Sequence, residues 1–168
     1  MSEEGALRMI RRVIVAAAGF MLLGLCALPA GAQGVSGRVV SVASGDTLTI
    51  RFASGLRARL RLAGIAAPKK DQPYGSHSRR SLAELCGGRN AVVEDQGADA
   101  EGHLAARVMC AGINANGEQV RRGMAWVDRR SVAPTSALFR LETDAREHRR
   151  GLWRRRHPVT PWMWHKRR

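Results

Sequence analysis

The sequence is poor in acidic residues and in lysine, cysteine and tyrosine. Of its 168 residues, only 14 are Asp or Glu, against 28 Lys or Arg, which gives a formal net charge of +14. Such a charge favours a polyanionic partner: nucleic acid first, then anionic lipid or an acidic envelope polymer. Lys occurs only three times, so nearly all of the positive charge is Arg. Arg suits bidentate phosphate contacts, although a GC-rich genome would produce the same bias.

The chain also lacks the length for a large fold, and it has no internal repeats. Its 168 residues allow one domain, or one domain with a tail, and exclude a large α/β barrel or a two-domain dehydrogenase. Apolar residues make up 45%, enough for a packed core. Four histidines show no metal-ligand spacing to any Cys or Asp and are expected at the surface: His77, His148, His157 and His165.

Residues 1–32 have the pattern of a secretory signal peptide. Arginines precede an apolar run from Val13 to Ala30, and Ala30-Gly31-Ala32 places small residues where a signal peptidase reads them. An uncleaved membrane anchor is the alternative, since such a run can just span a bilayer. Leu25 stands where a lipoprotein signal before Cys26 needs a small residue. We therefore expect a secreted protein, periplasmic or extracellular, with no stable membrane anchor after cleavage.

Two cysteines, Cys86 and Cys110, remain after the leader. An even pair in an oxidising compartment suggests a disulfide bond. Two buried free thiols are the alternative, because the distance between the cysteines is not readable from the sequence.

Alternating apolar residues predict three consecutive strands, at Gly37–Val42, Asp46–Phe52 and Leu56–Leu62, joined by tight turns. In the third strand, one face is apolar and the other is cationic. The apolar face carries Leu56, Ala58, Leu60 and Leu62, and the cationic face carries Arg57, Arg59 and Arg61.

The rest of the chain alternates between predicted helices and strands. These segments are a loop at Gly64–Tyr74, a helix at Ser76–Cys86, a strand at Asn90–Asp95, a turn at Gly97–Gly102, a strand at His103–Ala111, and helices at Asn114–Arg122 and Thr135–Arg150. Five strands with a helix between the third and fourth describe a mixed β and α fold: a five-stranded OB-type Greek-key barrel with about three helices. We assign residues 33–153 to this domain and residues 154–168 to a basic, Trp-containing tail.

Three segments, and four shorter matches after them, carry a resemblance to a known family. The run Val42–Leu48, which contains Gly45-Asp46-Thr47, resembles the "DGDT" hairpin of the staphylococcal nuclease (thermonuclease) family. Arg61–Lys69 resembles its "RLxGIDxPE", and Asp99–Ala105 stands where "DxYGRxLA" is expected. Further matches follow in family order: Gly112-Ile113-Asn114, Gly123-Met124-Ala125-Trp126, Gly151-Leu152-Trp153 and Pro161–Trp164.

The resemblance implies an OB barrel with three helices and calcium-dependent cleavage of DNA and RNA phosphodiesters. In that family, two Asp and a main-chain carbonyl hold the ion, a Glu activates water and two Arg clamp the phosphate. Each residue type supplies one requirement of the reaction: charge neutralisation, a nucleophile or positioning.

Two of these five catalytic positions are retained. Asp46 matches the first metal-binding Asp, and Arg61 matches the first phosphate-clamping Arg. The other three positions are altered: Ala66 stands at the second Asp, Lys69 at the general-base Glu, and His103 at the second Arg.

These alterations predict a catalytically impaired nuclease homologue that binds nucleic acid or other polyanions. Calcium prefers six to eight oxygen ligands, so Asp46 alone is a weak or lost metal site. We therefore expect no cofactor, with Ca²⁺ only if the family activity survives. One alternative is an active phosphodiesterase or endonuclease in which His103 or Glu101 replaces the base. Another is a structural or interaction protein of the envelope, so whether the chain is an enzyme stays open.

The cationic residues suggest an anion-binding site composed of Arg57, Arg59, Arg61 and Lys69. We expect the Lys69 ammonium to pair with Asp46 and to replace the charge of the missing ion. Drift at a site freed from selection is the alternative for Lys69, and a solvated outer face is the alternative for the arginines.

Overall fold

The computed structural model describes residues 34–99 and 102–165, so the predicted signal peptide and Glu101 lie outside the described residues. Its strands are β1 (Val35–Val42), β2 (Thr47–Phe52), β3 (Arg57–Leu62), β4 (Ile65–Ala66), β5 (Asn90–Ala98), β6 (Leu104–Cys110), β7 (Ile113–Asn114) and β8 (Trp126–Val127). Its helices are α1 (Gly75–Cys86), α2 (Ala115–Arg121), α3 (Leu138–Glu147) and α4 (Pro161–His165), with a 3₁₀ turn at Gly151–Arg154. None of the helices in this part of the chain is both long enough and apolar enough to cross a bilayer.

Five strands close into a barrel, as the alternating pattern predicts. Neighbours follow the order β3-β2-β1-β5-β6, and a parallel pairing of β3 with β6 joins the two ends. The register of β1 against β2 shifts between Val39 and Ser41, and such bulges increase the local bend and twist that closure needs. The short strand β7 extends the sheet beside β6, and β4 pairs with β8 outside the barrel.

The barrel core contains the apolar faces of the first three strands. Leu48 and Ile50 of β2 are fully buried, and Leu62 of β3 is 1% exposed. Leu56 differs from the prediction: it is 66% exposed and precedes β3. The reason is the hairpin turn, in which the Leu56 carbonyl accepts the hydrogen bond from the Phe52 amide and Gly55 has a φ of +84°.

Three predicted boundaries are wrong, each for a local reason. Strand β5 continues to Ala98, into the predicted turn. Its register against β6 shifts between Asp95 and Ala98, and this shift lets the pairing resume at Ala98. The predicted loop Gly64–Tyr74 contains β4, which is too short to produce a pattern. Helix α3 is shorter than Thr135–Arg150, and beyond its end Arg149 has a left-handed φ of +50°.

A second apolar cluster lies outside the barrel, where α3 and the 3₁₀ turn meet β8. Trp126 and Trp153 pack edge to face, with ring centroids 6.0 Å apart, and the Arg146 guanidinium lies 4.0 Å from the Trp153 ring centroid. Trp162 of the tail packs against this cluster. The Trp164 indole donates a hydrogen bond of 3.3 Å to the Asp71 carboxylate, so the described part of the tail is attached to the domain.

A disulfide bond joins Cys86 at the end of α1 to Cys110 at the end of β6, with the two Cα atoms 5.3 Å apart. Both cysteines are fully buried. The bond therefore links the helix directly to the barrel wall, which decides between the two states that the sequence left open.

Removing this bond should destabilise the domain. The cross-link spans 24 residues, and the chain-entropy account assigns a loop of this size about 3–4 kcal/mol. We expect the C86A/C110A variant to lose about that much free energy of unfolding in urea denaturation. Wild-type protein in excess reductant is the control, and it should approach the variant. Equal stability of oxidised and reduced wild type would contradict the expectation.

Helix α2 carries a concentrated ion-pair cluster. The Glu118 carboxylate accepts two hydrogen bonds of 2.7 Å from Arg121 and one of 2.7 Å from Arg122. The Arg121 bonds, with help from Arg122, lower the pKa of Glu118 to about 2. Because the pKa is depressed in the folded protein, the stabilisation exists above the ordinary pKa and disappears as the pH falls toward the folded value.

The E118Q variant should therefore be less stable than the wild type at pH 7 and equally stable near pH 2. We expect a loss of about 1–2 kcal/mol at pH 7, since the guanidinium partners are partly exposed to water. The gap should close between pH about 4.5 and about 2, measured by urea unfolding at each pH. E147Q, at an exposed position of α3, is the control; a pH-independent gap for E118Q would contradict the assignment.

Candidate functional site

Asp46 lies in the turn between β1 and β2 and is 6% exposed. One carboxylate oxygen accepts hydrogen bonds from the hydroxyls of Ser44 at 2.6 Å and Thr47 at 3.0 Å. The other oxygen accepts the backbone amide of Ala67 at 2.8 Å. The Asp46 side chain therefore stabilises its own turn and links that turn by a hydrogen bond to the loop that follows β4.

The buried side-chain amide of Gln119 supports the same turn. Gln119 of α2 is fully buried and donates to the carbonyls of Gly45 at 2.6 Å and Ser78 at 3.1 Å. Its oxygen accepts the Ser81 hydroxyl at 2.7 Å. Gly45 has no room for a side chain, since a Cβ there would lie 1.7 Å from the Ser78 hydroxyl oxygen. Helices α1 and α2 thus hold the turn that carries Asp46.

Arg61 bridges two carboxylates at the end of β3. Its Nε lies 3.9 Å from the second oxygen of Asp46, and its Nη1 lies 2.9 Å from Asp99. The Arg61 side chain is 18% exposed, so the guanidinium is held in place while one side still reaches solvent. A fixed guanidinium loses less conformational freedom when an anion binds.

The loop after β5 positions His103. The His103 amide donates to the Asp99 carboxylate at 2.8 Å, and the Asp99 amide donates to the His103 carbonyl at 2.8 Å. The imidazole Nδ1 lies 3.4 Å from the same carboxylate, and the ring is 62% exposed. Asp99 thereby links His103 to Arg61.

These residues surround a cleft of about 340 Å³, called here the Asp46 cleft. Four cationic side chains and one carboxylate line it, together with one imidazole. The lining residues are Ser44, Asp46, Thr47, Arg59, Leu60, Arg61, Ala67, Pro68, Lys69, Lys70, His103 and Leu104. The cleft therefore has a strong excess of positive charge.

The predicted ion pair between Lys69 and Asp46 is wrong. The cation beside the Asp46 carboxylate is Arg61, and Lys69 forms no ion pair within the described residues. The backbone amide of Lys69 donates to the Gln72 side chain at 3.1 Å, and Gln72 in turn donates to the Val159 carbonyl of the tail. Lys69 therefore contributes its charge to the cleft without neutralising Asp46.

Two other predicted site residues lie apart from the cleft lining. Ala66 is 2% exposed and pairs with Trp126 between β4 and β8, so no side-chain oxygen enters from its position. Arg57 lies further along β3, opposite Arg51 of β2.

The residues present do not fit a calcium ion. Both carboxylates near the site, Asp46 and Asp99, already face Arg61, and Ala66 supplies no ligand. No group of three or more His, Cys, Asp or Glu side chains suited to a metal occurs among residues 34–99 and 102–165. Calcium requires six to eight oxygen ligands, several of them anionic, whereas the lining of the Asp46 cleft offers one carboxylate.

A larger cleft of about 770 Å³ lies on the other side of Arg61, between β3, β6, α2 and α3. Its wall includes Asp128 and Arg130, whose side chains form two hydrogen bonds of 3.0 Å. These bonds from Arg130 hold the pKa of Asp128 below its usual range. An ion pair therefore forms part of the wall of this larger cleft.

Several positioning residues were missed by the sequence patterns. Gln119 and Asn116 sit on a short helix with no motif of their own. Asn116 accepts the Val108 amide and donates to the carbonyls of Ala63 and Ala106, at 2.8 and 3.1 Å. The only sequence signal for Gln119 and Asn116 was their position, as polar residues, on the inward face of an amphipathic helix.

The chain is similar to proteins with nuclease names. Residues 59–155 match the family described as "Staphylococcal nuclease homologue". An "Uncharacterized endonuclease" of Escherichia coli O157:H7 is 34% identical over 146 residues, covering 86% of this chain and 94% of that protein. "Protein ParB" of Escherichia coli is 33% identical, with 88% of each chain covered. A "Micrococcal nuclease" of Shigella flexneri is 33% identical, with 76% of this chain and 79% of that protein covered.

Replacing the buried amide should loosen the Asp46 turn. The Q119L variant keeps the side-chain volume but leaves the Gly45 and Ser78 carbonyls and the Ser81 hydroxyl without this partner. We expect a loss of about 2–4 kcal/mol in the free energy of unfolding, together with faster hydrogen exchange of the Ala67 amide. Q96L, at an exposed position, is the control and should change stability by less than about 0.5 kcal/mol. A wild-type exchange rate at Ala67 in Q119L would contradict the proposed support.

Proposed function

Because the chain belongs to the staphylococcal nuclease homologue family, we propose that its Asp46 cleft binds the phosphodiester backbone of nucleic acid without the family's calcium-dependent cleavage. The observation that carries this proposal is the charge of the cleft, in which four cationic side chains face one carboxylate. That carboxylate is occupied by the Ser44, Thr47 and Ala67 hydrogen bonds and by Arg61.

The cations of the cleft suit a phosphate for two reasons. Arg61 is held in position by Asp46 and Asp99, so it presents a fixed planar donor. Arg59, Lys69 and Lys70 form no ion pair within the described residues, so no described carboxylate competes with an incoming phosphate for these three. Contacts of this kind give affinity that does not depend on sequence and weakens as salt rises.

Loss of cleavage follows from the groups at the reacting positions. A general base must accept a proton from water at the working pH, and the side chain at the family's base position is Lys69, an acceptor only after it loses its own proton. Ala66 removes a ligand of the family's ion. The family's second metal-binding carboxylate and its general base are therefore both missing from their positions.

A second candidate function is an active phosphodiesterase with a remodelled site. The relatives named endonuclease and micrococcal nuclease favour it over an impaired homologue. The His103 imidazole, 3.4 Å from Asp99, supplies a replacement base: Nδ1–H would donate to the Asp99 carboxylate while Nε2 accepts a proton from the attacking water. The leaving oxygen departs on the opposite side of the phosphorus from the attacking water and takes its proton from solvent, and the imidazolium releases its proton to solvent.

Export of the protein to the periplasm or beyond is part of the proposal. The Cys86–Cys110 disulfide supports it, because such bonds persist in oxidising compartments and are rare in the cytosol.

Binding should depend on the lysines of the cleft. We expect the K69Q/K70Q variant to bind a fluorescent single-stranded oligonucleotide in EDTA more weakly than the wild type. The slope of log affinity against log salt should also fall by about 1.4, since each lost contact to a single strand removes about 0.7. R79Q/R80Q, at exposed positions of α1, removes the same charge and is the control. No binding by the wild type at low salt would contradict the proposal.

A cleavage assay with Ca²⁺, Mg²⁺, Mn²⁺ or EDTA separates the two candidates. The proposed function expects no product in any condition, whereas the A66D/K69E/H103R variant, in which the family residues are restored, should gain calcium-dependent cleavage. The second candidate expects cleavage that persists in EDTA and is lost in H103Q. Fast cleavage by the wild type that stops on chelation would contradict both.

A further inference from the structure

The first three strands carry arginine on their outward face and no acidic residue. β1, β2 and β3 together contain five arginines, at positions 38, 51, 57, 59 and 61, and neither Asp nor Glu. The core face of the same strands is apolar and buried. The outward face therefore carries arginines beyond the two, Arg59 and Arg61, that line the Asp46 cleft.

Strand register brings three of these arginines side by side. Arg38 of β1 is opposite Arg51 of β2, and Arg51 is opposite Arg57 of β3. All three are exposed. Neighbouring strands are about 5 Å apart, so the three residues form a continuous line across the sheet, called here the arginine row.

The arginine row is unfavourable for the isolated domain. Like charges directly opposite each other on adjacent strands destabilise a sheet, and no member of the row forms an ion pair or side-chain hydrogen bond within the described residues. The same barrel pairs opposite charges elsewhere: Glu94 of β5 is opposite Arg107 of β6, and the two side chains lie 3.3 Å apart. A row of three unpaired arginines thus lacks the neutralisation used on the neighbouring strands.

The row is continuous with the Asp46 cleft. Arg57, Arg59 and Arg61 alternate along β3 on one face, at intervals of about 6–7 Å for an extended strand. Arg59 and Arg61 line the cleft, and Arg57 belongs to the row. Cationic side chains therefore run from the cleft along β3 and then across the sheet.

We propose that the arginine row is a second phosphate-binding surface, which holds the part of a single-stranded polynucleotide that extends out of the Asp46 cleft. This proposal rests on the proposed function, in which the cleft binds one phosphodiester segment. Phe52 is the only aromatic residue in the three strands, and it packs against the core. The row accordingly contacts phosphates and not bases, so binding there is independent of base sequence.

Oligonucleotide length tests the row separately from the cleft. The R51Q/R57Q variant should bind a dT20 strand at least about tenfold more weakly than the wild type at 50 mM salt, with a salt slope lower by about 1.4. Its affinity for dT3, which can occupy the cleft alone, should be unchanged. The K69Q/K70Q variant should lose affinity for both lengths, and R79Q/R80Q is the matched charge control.

The melting temperature distinguishes a binding role of the arginine row from a structural role. If the row stabilised the fold, its removal would lower the melting temperature. Because the opposed guanidinium groups repel each other, R51Q/R57Q should melt at a temperature equal to or higher than that of the wild type. Added dT20 should raise the melting temperature of the wild type more than that of the variant.

Three outcomes overturn the proposal about the row. It fails if R51Q/R57Q binds dT20 as tightly as the wild type does, or if the loss equals that of R79Q/R80Q. It also fails if the variant is less stable and loses dT3 affinity as well. In the first two cases the cleft is still supported when K69Q/K70Q weakens dT3 binding. Loss of dT20 binding in the row variant with no effect of K69Q/K70Q would support the row and contradict the cleft.

Discussion

The carboxylate of Asp46 makes the contacts on which the shape of the Asp46 cleft depends. It accepts hydrogen bonds from Ser44 and Thr47 within its own turn and from the Ala67 amide of a separate loop. It also faces the Arg61 guanidinium at 3.9 Å. A buried charge must be neutralised and hydrogen-bonded to be tolerated. These few contacts therefore set the shape of the cleft and the direction of the Arg61 guanidinium.

The electrostatic consequence is a cleft lined by four cationic side chains and one carboxylate. Arg61 neutralises Asp46 and Asp99 together, and the other cations of the cleft remain available to a ligand. Under the proposed function, this charge positions a phosphate without generating a nucleophile. The two candidate functions differ in the roles they give to Lys69 and His103.

Long periodic segments could be predicted from the sequence, whereas short ones could not. The alternation in β2 and β3 identified the buried positions of Leu48, Ile50 and Leu62, because a half-buried strand repeats every two residues. Strands β4 and β8 have two residues each and leave no period. The predicted length of α3 was too great because residues that favour helix continue past Glu147, where the helix ends. The left-handed backbone at Arg149 has no sequence signature.

The sequence by itself determined the charge of the protein, the closed five-stranded barrel and the identities of the residues at the family's catalytic positions, since periodicity and motif order are local properties of the chain. Only the tertiary structure decided which groups meet: that Arg61 and not Lys69 faces Asp46, that Gln119 supports the turn, and that Arg38, Arg51 and Arg57 lie in one row. Register and packing join residues that are distant along the chain, and no spacing in the sequence encodes those distances.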